Sequence, residues 1–517
     1  MTALKAADIP LYYNAVDILE RNLAERSDKV ALYSDERNMT FREVSDEANR
    51  VGNALKKLDV RHGDFVGILS LDGPAWVTSF FGTIKIGAIA IGMNTLLTPR
   101  EYDYMLRDSR ARVLIVHAAL VGAVEEIRDN HPYLQHVVVI GEGGRAGDLH
   151  YGSWIEGEST VLDAEDTHRD DFCSLNYSSG TTGDPKGILH AHKDYPLTSQ
   201  NWGVNVLGLT DADRTFAGAK LFFTFGNGGN LIFPWYAGAS TVLFAGSPRV
   251  AANVLEQIDR HKPTILYNAP TGYAAALAQP TFDDYDLSSL RLCVSAGESL
   301  PAPVWQAWKD KTGLDTIDGI GSTENYHIFL SNRPGDIRPG SSGKPFDGYE
   351  LRLVDENGAA VPQGEIGNLL VKGETSTLFY LHQYEKSRQT FQGEWLFTGD
   401  KYYMDEDGYY WHAGRSDDML KVGGIWVSPV EVESTLISHA AVLECAVVGR
   451  ADQSNLIKPH AYVILNEGFV GSPDLEQQLI AYCREKMADY KRPRWIEFVD
   501  ELPKTATGKI QRFKLRA

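Results

Sequence analysis

The sequence predicts an α/β protein with largely parallel sheets, a β-rich lobe and a small α+β domain at its end. Three observations predict it. Up to about residue 340, short apolar runs bounded by glycine or charge alternate with segments whose apolar residues recur at helical spacing, the pattern of buried strands alternating with helices. Beyond that point strands follow one another with turns between them. The last stretch, about 100 residues, returns to a mixed pattern, and a segment of that size suits a separate domain.

The elements follow in order. Residues 17–24 and 41–58 read as amphipathic helices. Strands are expected at 65–71, 113–117, 137–141, 241–244, 265–267 and 290–294, with helices between them at 75–86, 99–108, 250–261 and 301–312. In the β-rich lobe, strands are expected at 349–354, 367–372, 402–404 and 409–413, the last two joined by the turn Asp405-Glu406-Asp407-Gly408. The final segment reads as helix 429–438, strands 442–448 and 461–465, helix 474–487 and strand 495–498. No internal repeat or low-complexity run interrupts this order.

Composition bounds the function. The chain has 517 residues, 43% of them hydrophobic, enough for more than one packed unit when a domain holds about 100–200 residues. A formal net charge of -19 argues against nucleic acid and anionic membrane as partners, because both would repel it. Four scattered cysteines with no C-x-x-C pair make no disulfide framework and read as buried thiols. The N-terminal residues mix charge with apolar side chains and do not read as a signal peptide, and the apolar stretch 84–97 is broken by Lys85 and glycines. The expected compartment is the cytoplasm.

The most informative segment is Tyr177-Ser178-Ser179-Gly180-Thr181-Thr182-Gly183-Asp184-Pro185-Lys186-Gly187, directly after the apolar run 172–177. Glycines let backbone N–H groups approach an anion, hydroxyls donate to phosphate oxygens, and the lysine adds charge. The spacing is not that of a Walker A loop. Read from composition alone, a flexible surface loop stays open.

The string resembles the phosphate loop of the acyl-adenylate-forming superfamily, and the resemblance runs through nearly the whole chain. Asp318-Gly319-Ile320-Gly321-Ser322-Thr323-Glu324 looks like its second nucleotide motif, and Phe397-Thr398-Gly399-Asp400 like its ribose motif. Gly414-Arg415-Ser416-Asp417-Asp418-Met419-Leu420-Lys421 looks like its hinge, and Pro503-Lys504-Thr505-Ala506-Thr507-Gly508-Lys509-Ile510 like its C-terminal lysine loop. Five motifs in order make chance a negligible explanation.

The resemblance implies a large N-terminal domain over 1–416, with two mostly parallel helix-flanked sheets and the β-rich lobe. It implies a small mobile lid over 417–517. It implies ATP, Mg²⁺ and coenzyme A. Ser178, Ser179, Gly180, Thr181, Thr182, Gly183, Lys186, Gly297, Glu298, Asp318, Gly319, Ile320 and Gly321 would bind nucleotide. Asp400, following a T-G turn, would accept from both ribose hydroxyls, and Arg415 would bond the nucleotide across the domain junction. Thr323 would donate to the α-phosphate, and Glu324 would hold Mg²⁺, since a hard cation takes carboxylate oxygens. Lys509 would neutralise the two anions that meet when a carboxylate attacks the α-phosphate. Asp417 would be the hinge, and Gly423 and Gly424 would line the pantetheine channel, where absent side chains leave room.

Within the superfamily, Ile320 replaces the tyrosine that most relatives stack on adenine, a feature of the benzoate-CoA ligase and 4-hydroxybenzoate-CoA ligase branch. The strings Lys220-Leu221-Phe222-Phe223-Thr224-Phe225-Gly226 and His327-Ile328-Phe329-Leu330-Ser331 resemble that branch too. Phe223, Thr224, Phe225, Gly321, His327 and Ile328 would line the acyl pocket. Aromatic and aliphatic walls suit a flat ring and reject a buried ammonium. Close benzoate ligases carry Ala and Tyr where this chain has Thr224 and Phe225. Thr224 either favours a ring substituent, such as the hydroxyl of 4-hydroxybenzoate, or satisfies a backbone carbonyl. His327 either bonds the substrate or packs as wall. Benzoate or a hydroxybenzoate is the expected acid, with furoate, cyclohexane carboxylates and benzene dicarboxylates open. Free CoA is the expected acceptor, with a separate carrier protein as the alternative, and a homodimer is the assembly analogy suggests. A luciferase-like oxygenase has no support in the sequence. A non-catalytic nucleotide-binding descendant would be expected to lose Lys509 or Glu324, and both are present.

Overall fold

The computed structural model describes residues 3–129, 131–178, 185–416, 418–422, 425–453, 456–504 and 510–516. Among them, one sheet has seven strands in the order Leu149–His150, His136–Ile140, Val113–His117, Phe65–Leu69, Ile89–Gly92, Phe172–Ser178 and Lys186–Ala191. Only the last pair is antiparallel. A second sheet has nine strands, with a parallel centre made by Thr316–Gly321, Leu292–Ser295, Ile265–Asn268, Arg214–Ala217, Ser240–Val242 and Val30–Tyr33. Antiparallel strands close both its edges.

Helices fill the space between these sheets. Pro74–Lys85 is buried on nearly every side, and its Trp76, Phe80 and Phe81 join Trp202, Trp235 and Tyr326 in one core. Its neighbour Phe41–Lys57 is amphipathic and begins with a capping box: Glu43 N–H donates to Thr40 Oγ1 at 3.2 Å and Thr40 N–H donates to Glu43 Oε2 at 2.7 Å. The one buried lysine in this layer, Lys85, donates to Asn49 Oδ1 at 2.6 Å and pairs with Glu20.

The β-rich lobe is an antiparallel sheet of Tyr349–Val354, Gly367–Gly373, Trp395–Met404, Phe391–Gln392 and Tyr410–Arg415. The last unit has its own core, drawn only from residues 420–498. It packs Pro429–Ile437 and Pro473–Lys486 against the strands Val442–Ala451, Ile457–Leu465 and Trp495–Phe498. The architecture is the one expected: mixed, mostly parallel sheets with helices, a large N-terminal domain and a small C-terminal one. No helix among the described residues is long and apolar enough to cross a membrane. All four cysteines are buried, unbridged thiols.

Among the strands that escape the sequence pattern are these four: Ile89–Gly92, Lys186–Ala191, Thr316–Gly321 and Ile328–Ser331. Three of them carry glycine, and all are buried on both faces or merge with a motif, so alternation is not visible. One expectation is corrected. Asp400 does not follow a turn; it lies within the ten-residue strand Trp395–Met404. Gly399, at φ +77°, bulges that strand so that Thr398, Gly399 and Asp400 together oppose Leu369.

Candidate active site

The segments expected to bind nucleotide come from all three N-terminal sheets and converge. The strands Phe172–Ser178 and Lys186–Ala191 pair antiparallel, with Ser178 opposite Lys186. Lys186 Nζ lies 3.7 Å from Glu324 Oε1 and 4.7 Å above the ring of Tyr380. Tyr380 donates from its hydroxyl to the same Glu324 oxygen at 2.8 Å. Burial holds the Lys186 ammonium below its ordinary pKa, and the Glu324 charge partly offsets this. A short bridge between Ile188 and Tyr380 fixes the tyrosine to the strand.

Thr323 and Glu324 sit on a turn between the strands Thr316–Gly321 and Ile328–Ser331. The turn is held by its backbone: Thr377 N–H donates to the Glu324 carbonyl at 2.8 Å, and His190 Nε2 lies 2.7 Å from the Thr323 carbonyl. It ends at Tyr326, a non-glycine residue at φ +70°, ψ -46°. That conformation is near a strained γ-turn and costs on the order of 1–3 kcal/mol. Tyr326 is pinned through its hydroxyl, which donates to Asn227 Oδ1 at 2.7 Å.

Gly319, Ile320 and Gly321 lie on the Thr316–Gly321 strand, and Gly297 and Glu298 on the loop after the neighbouring Leu292–Ser295 strand. The charge of Glu298 reaches Arg512 in the C-terminal domain. Asp400 and Arg415 face each other across adjacent strands, with Arg415 Nη1 donating to Asp400 Oδ1 at 3.2 Å. Arg415 also adds positive potential at Lys186.

Asp318 is placed differently from the rest of its motif. Its side chain is turned inward and buried, accepts from Leu300 N–H at 3.3 Å, and leaves Oδ1 without a partner among the described residues. Burial raises its pKa from 3.8 to about 7. Between those values the native state keeps a proton that the unfolded chain has released, so this group makes stability fall as pH rises through the window and level off above it. Asp318→Asn should therefore gain stability over wild type as pH goes from 5 to 8, by up to about 3 kcal/mol at about 1.4 kcal/mol per unit. Thermal midpoints of both proteins across that range check it; equal pH dependence would refute the assignment.

Of the residues expected at the acyl pocket, Phe225 and His327 are brought into contact. Phe223 precedes the one-turn helix Thr224–Asn227, and Phe225 packs against His327 at 5.4 Å and Tyr267 at 5.8 Å between ring centroids. His327 also meets Trp202 at 5.1 Å and Phe233 at 4.6 Å. Gly228 and Gly229 make this packing possible: a Cβ on the first would lie 2.6 Å from the His327 ring, and one on the second 2.7 Å from the Tyr267 ring. His327 Nε2 is 3.2 Å from the Phe225 carbonyl. A carbonyl only accepts, so Nε2 carries the proton and Nδ1 is an acceptor, buried and without a partner among the described residues. Burial lowers the His327 pKa to about 3, which keeps the ring neutral. Ile328 is fully buried beside it, and Thr224 is buried.

Residues 19–381 match the AMP-binding enzyme family, and residues 431–509 match the AMP-binding enzyme C-terminal domain. The chain belongs to the AMP-binding enzymes. This AMP-binding enzyme is 69% identical to the anthranilate CoA ligase AuaEII, solved in complex with anthranoyl-AMP, with a TM-score of 0.97 over 99% of this chain and 98% of that one. It is 47% identical to the benzoate–CoA ligase of Thauera aromatica, over 99% of this chain and 97% of that protein. It is 41% identical to the 4-hydroxybenzoate–CoA/benzoate–CoA ligase of Rhodopseudomonas palustris (strain ATCC BAA-98 / CGA009), over 98% and 94%.

Ser178, Lys186, Thr323, Glu324, Asp400 and Arg415 of this AMP-binding enzyme thus gather at one junction. Ser179, Gly180, Thr181, Thr182, Gly183, Asp417, Gly423, Gly424 and Lys509 lie outside the described residues. Sequence reasoning missed Tyr380, Tyr267, Trp202 and His190. Tyr267 closes an expected strand, and Tyr380 and Trp202 stand in no chemical pattern, so only packing reveals them. His190 had a signal: it lies four residues after Lys186 and shares its strand face.

Proposed function

We propose that this protein is an ATP-dependent, AMP-forming ligase that activates a compact aryl carboxylate as an acyl-adenylate and passes the acyl group to coenzyme A. The observation that carries this reading is its full-length likeness to ligases whose acids are all benzoates, joined to an aromatic chamber beside a cluster of phosphate-type and ribose-type residues. In the first half-reaction the acid's carboxylate oxygen attacks the α-phosphorus of ATP and pyrophosphate leaves. In the second, the CoA thiol attacks the adenylate's carbonyl, the thiol proton is lost to solvent, and AMP leaves.

Ser178, Lys186 and the loop between them bind the phosphates in this reading. Asp400 accepts from the ribose hydroxyls, Arg415 braces it, and the Thr323 hydroxyl donates to the α-phosphate. Lys509 neutralises charge between carboxylate and phosphate during the first step only, after which the C-terminal domain, from residue 417 onward, turns about Asp417 and brings Gly423 and Gly424 to the pantetheine arm. Among the described residues no group of three or more His, Cys, Asp or Glu side chains could cage a metal. A single carboxylate, Glu324, beside a triphosphate site instead fits Mg²⁺, which keeps several waters and is held by one or two carboxylates plus substrate phosphates. When bound, Mg²⁺ would neutralise phosphate charge there. We place the enzyme in the cytoplasm.

The acid read from the pocket is benzoate or a hydroxybenzoate. A second reading, 2-aminobenzoate, is favoured by the relationship to the anthranilate ligase and by the unpartnered His327 Nδ1, an acceptor that a ring amine could satisfy. An aryl amine is uncharged at neutral pH, so burying it does not carry the cost of burying an ammonium. Acid-dependent pyrophosphate release, with and without CoA, over benzoate, the hydroxybenzoates, 2-aminobenzoate, furoate and cyclohexane carboxylate tests both. An aryl acid should dominate kcat/KM, and its CoA thioester should form with free CoA. Silence with every aryl acid would refute the assignment, and the order of benzoate, hydroxybenzoates and 2-aminobenzoate decides between the readings.

A further inference from the structure

The strand that leaves the phosphate loop touches the Thr323–Glu324 turn along one face. Alternation puts Lys186, Ile188 and His190 on the same side of Lys186–Ala191. Lys186 meets the Glu324 carboxylate, Ile188 bridges to Tyr380, and His190 Nε2 meets the Thr323 carbonyl at 2.7 Å. His190 therefore links two sheets, because its strand belongs to the seven-stranded one and the turn to the nine-stranded one.

His190 is itself held. Its Nδ1 lies 3.0 Å from Asp194 Oδ2, which also accepts from Ala191 N–H at 3.0 Å, and both side chains are buried. The Thr323 carbonyl only accepts, so Nε2 is the donor, and the ring cannot turn over without losing both contacts. The ring packs edge-on to Tyr326 at 5.2 Å, the residue whose left-handed backbone ends the turn. A strained turn persists only where its surroundings over-determine it. Here the surroundings include the His190 bond at its start, the Thr377 N–H on the Glu324 carbonyl, the Thr375 and Ser376 hydroxyls on Asn325, and the Tyr326–Asn227 bond at its end.

We propose that His190, backed by Asp194, is a positioning residue for adenylation, holding the Thr323 carbonyl so that the Thr323 hydroxyl and the Glu324 carboxylate face the triphosphate. This rests on the roles of Thr323 and Glu324 given above. A merely structural buried pair would affect both half-reactions alike. A positioning pair affects only the half that uses the triphosphate.

The test uses the full-length protein with His190→Met, which removes the donor, His190→Gln, which keeps one, and Asp194→Asn. His190→Met should lose at least tenfold in acid-dependent ATP–pyrophosphate exchange and bind Mg·ATP at least fivefold more weakly by calorimetry. It should still form thioester from supplied benzoyl-adenylate and CoA within twofold of wild type. His190→Gln should recover exchange to within about threefold. The proposal is overturned if folded His190→Met exchanges and binds Mg·ATP as wild type does, or if both half-reactions fall equally and His190→Gln restores neither. Should His190→Met not fold, Asp194→Asn decides: a selective loss of exchange supports the clamp, and wild-type exchange overturns it. Mg·ATP affinity needs no acid, so a wild type inactive with every aryl acid would refute the proposed function while the affinity comparison still tests the clamp.

Discussion

Lys509→Ala loses acid-dependent adenylation by about 10²–10³-fold or more, yet converts supplied benzoyl-adenylate and CoA to thioester at nearly the wild-type rate. The first half-reaction joins two anions, and removing one preorganised donor from a developing charge costs about 10²–10³ in rate. The second half-reaction starts from a neutral mixed anhydride carbonyl and a thiol and has no such pair to neutralise. The surroundings of the lysine loop suit a residue that must be delivered precisely. Lys504 and Ile510 bridge across its base, and Gln511 N–H donates to the Pro503 carbonyl at 2.7 Å. Just beyond it, Arg512 donates to both carboxylate oxygens of Glu433 at 2.8 and 3.0 Å, and Glu433 in turn accepts from Val447 N–H at 2.7 Å. Arg512, just past the loop, is thus tied to the C-terminal core by a two-pronged ion pair, the stronger kind of charge-assisted bond. Pyrophosphate release and thioester formation, assayed separately on the folded variant, check the prediction. Equal loss in both would mean that the lysine does not serve one half-reaction alone.

The second large effect belongs to Glu324. Glu324→Gln should lower kcat/KM for Mg·ATP about a hundredfold and shift the Mg²⁺ dependence to higher concentration, while the thermal midpoint changes little. Glutamine still offers an oxygen to the Tyr380 hydroxyl, which now donates at 2.8 Å, so the packing around it survives. What is lost is the negative charge opposite Lys186, at 3.7 Å, and the carboxylate that suits a hard cation. Loss of a metal's supporting groups weakens affinity or activity by about 10–100-fold. Titrating Mg²⁺ at fixed ATP separates the two arms: a fall in kcat with an unmoved Mg²⁺ midpoint would exclude Glu324 as a metal ligand.

How much of this was legible in the sequence varies with the physics involved. The helices 41–58 and 99–108 were readable because their apolar faces repeat at 3.6 residues, and the structure returns Phe41–Lys57 and Pro99–Ser109. The strands that build the site were not, because they are short, glycine-bearing and interrupted by the residues that do chemistry. Trp395–Met404 is the plainest case: the Gly399 bulge that presents Asp400 is the same feature that breaks its alternation.

The sequence by itself determined the family and the class of chemistry. The groups proposed to hold phosphate, ribose and a catalytic charge are short strings whose backbone and side chains act locally, so they leave a readable signature. Tertiary structure alone decided which distant residues meet. It brings Tyr380 and Lys186 to one oxygen of Glu324, turns Asp318 away from its own motif, sets Asp400 against Arg415, and leaves His327 with a single free acceptor in an aromatic wall. The reason is that a hydrogen bond between residues 190 and 323, or 324 and 380, depends on how two sheets and a lobe pack, and no local pattern in the chain encodes that distance.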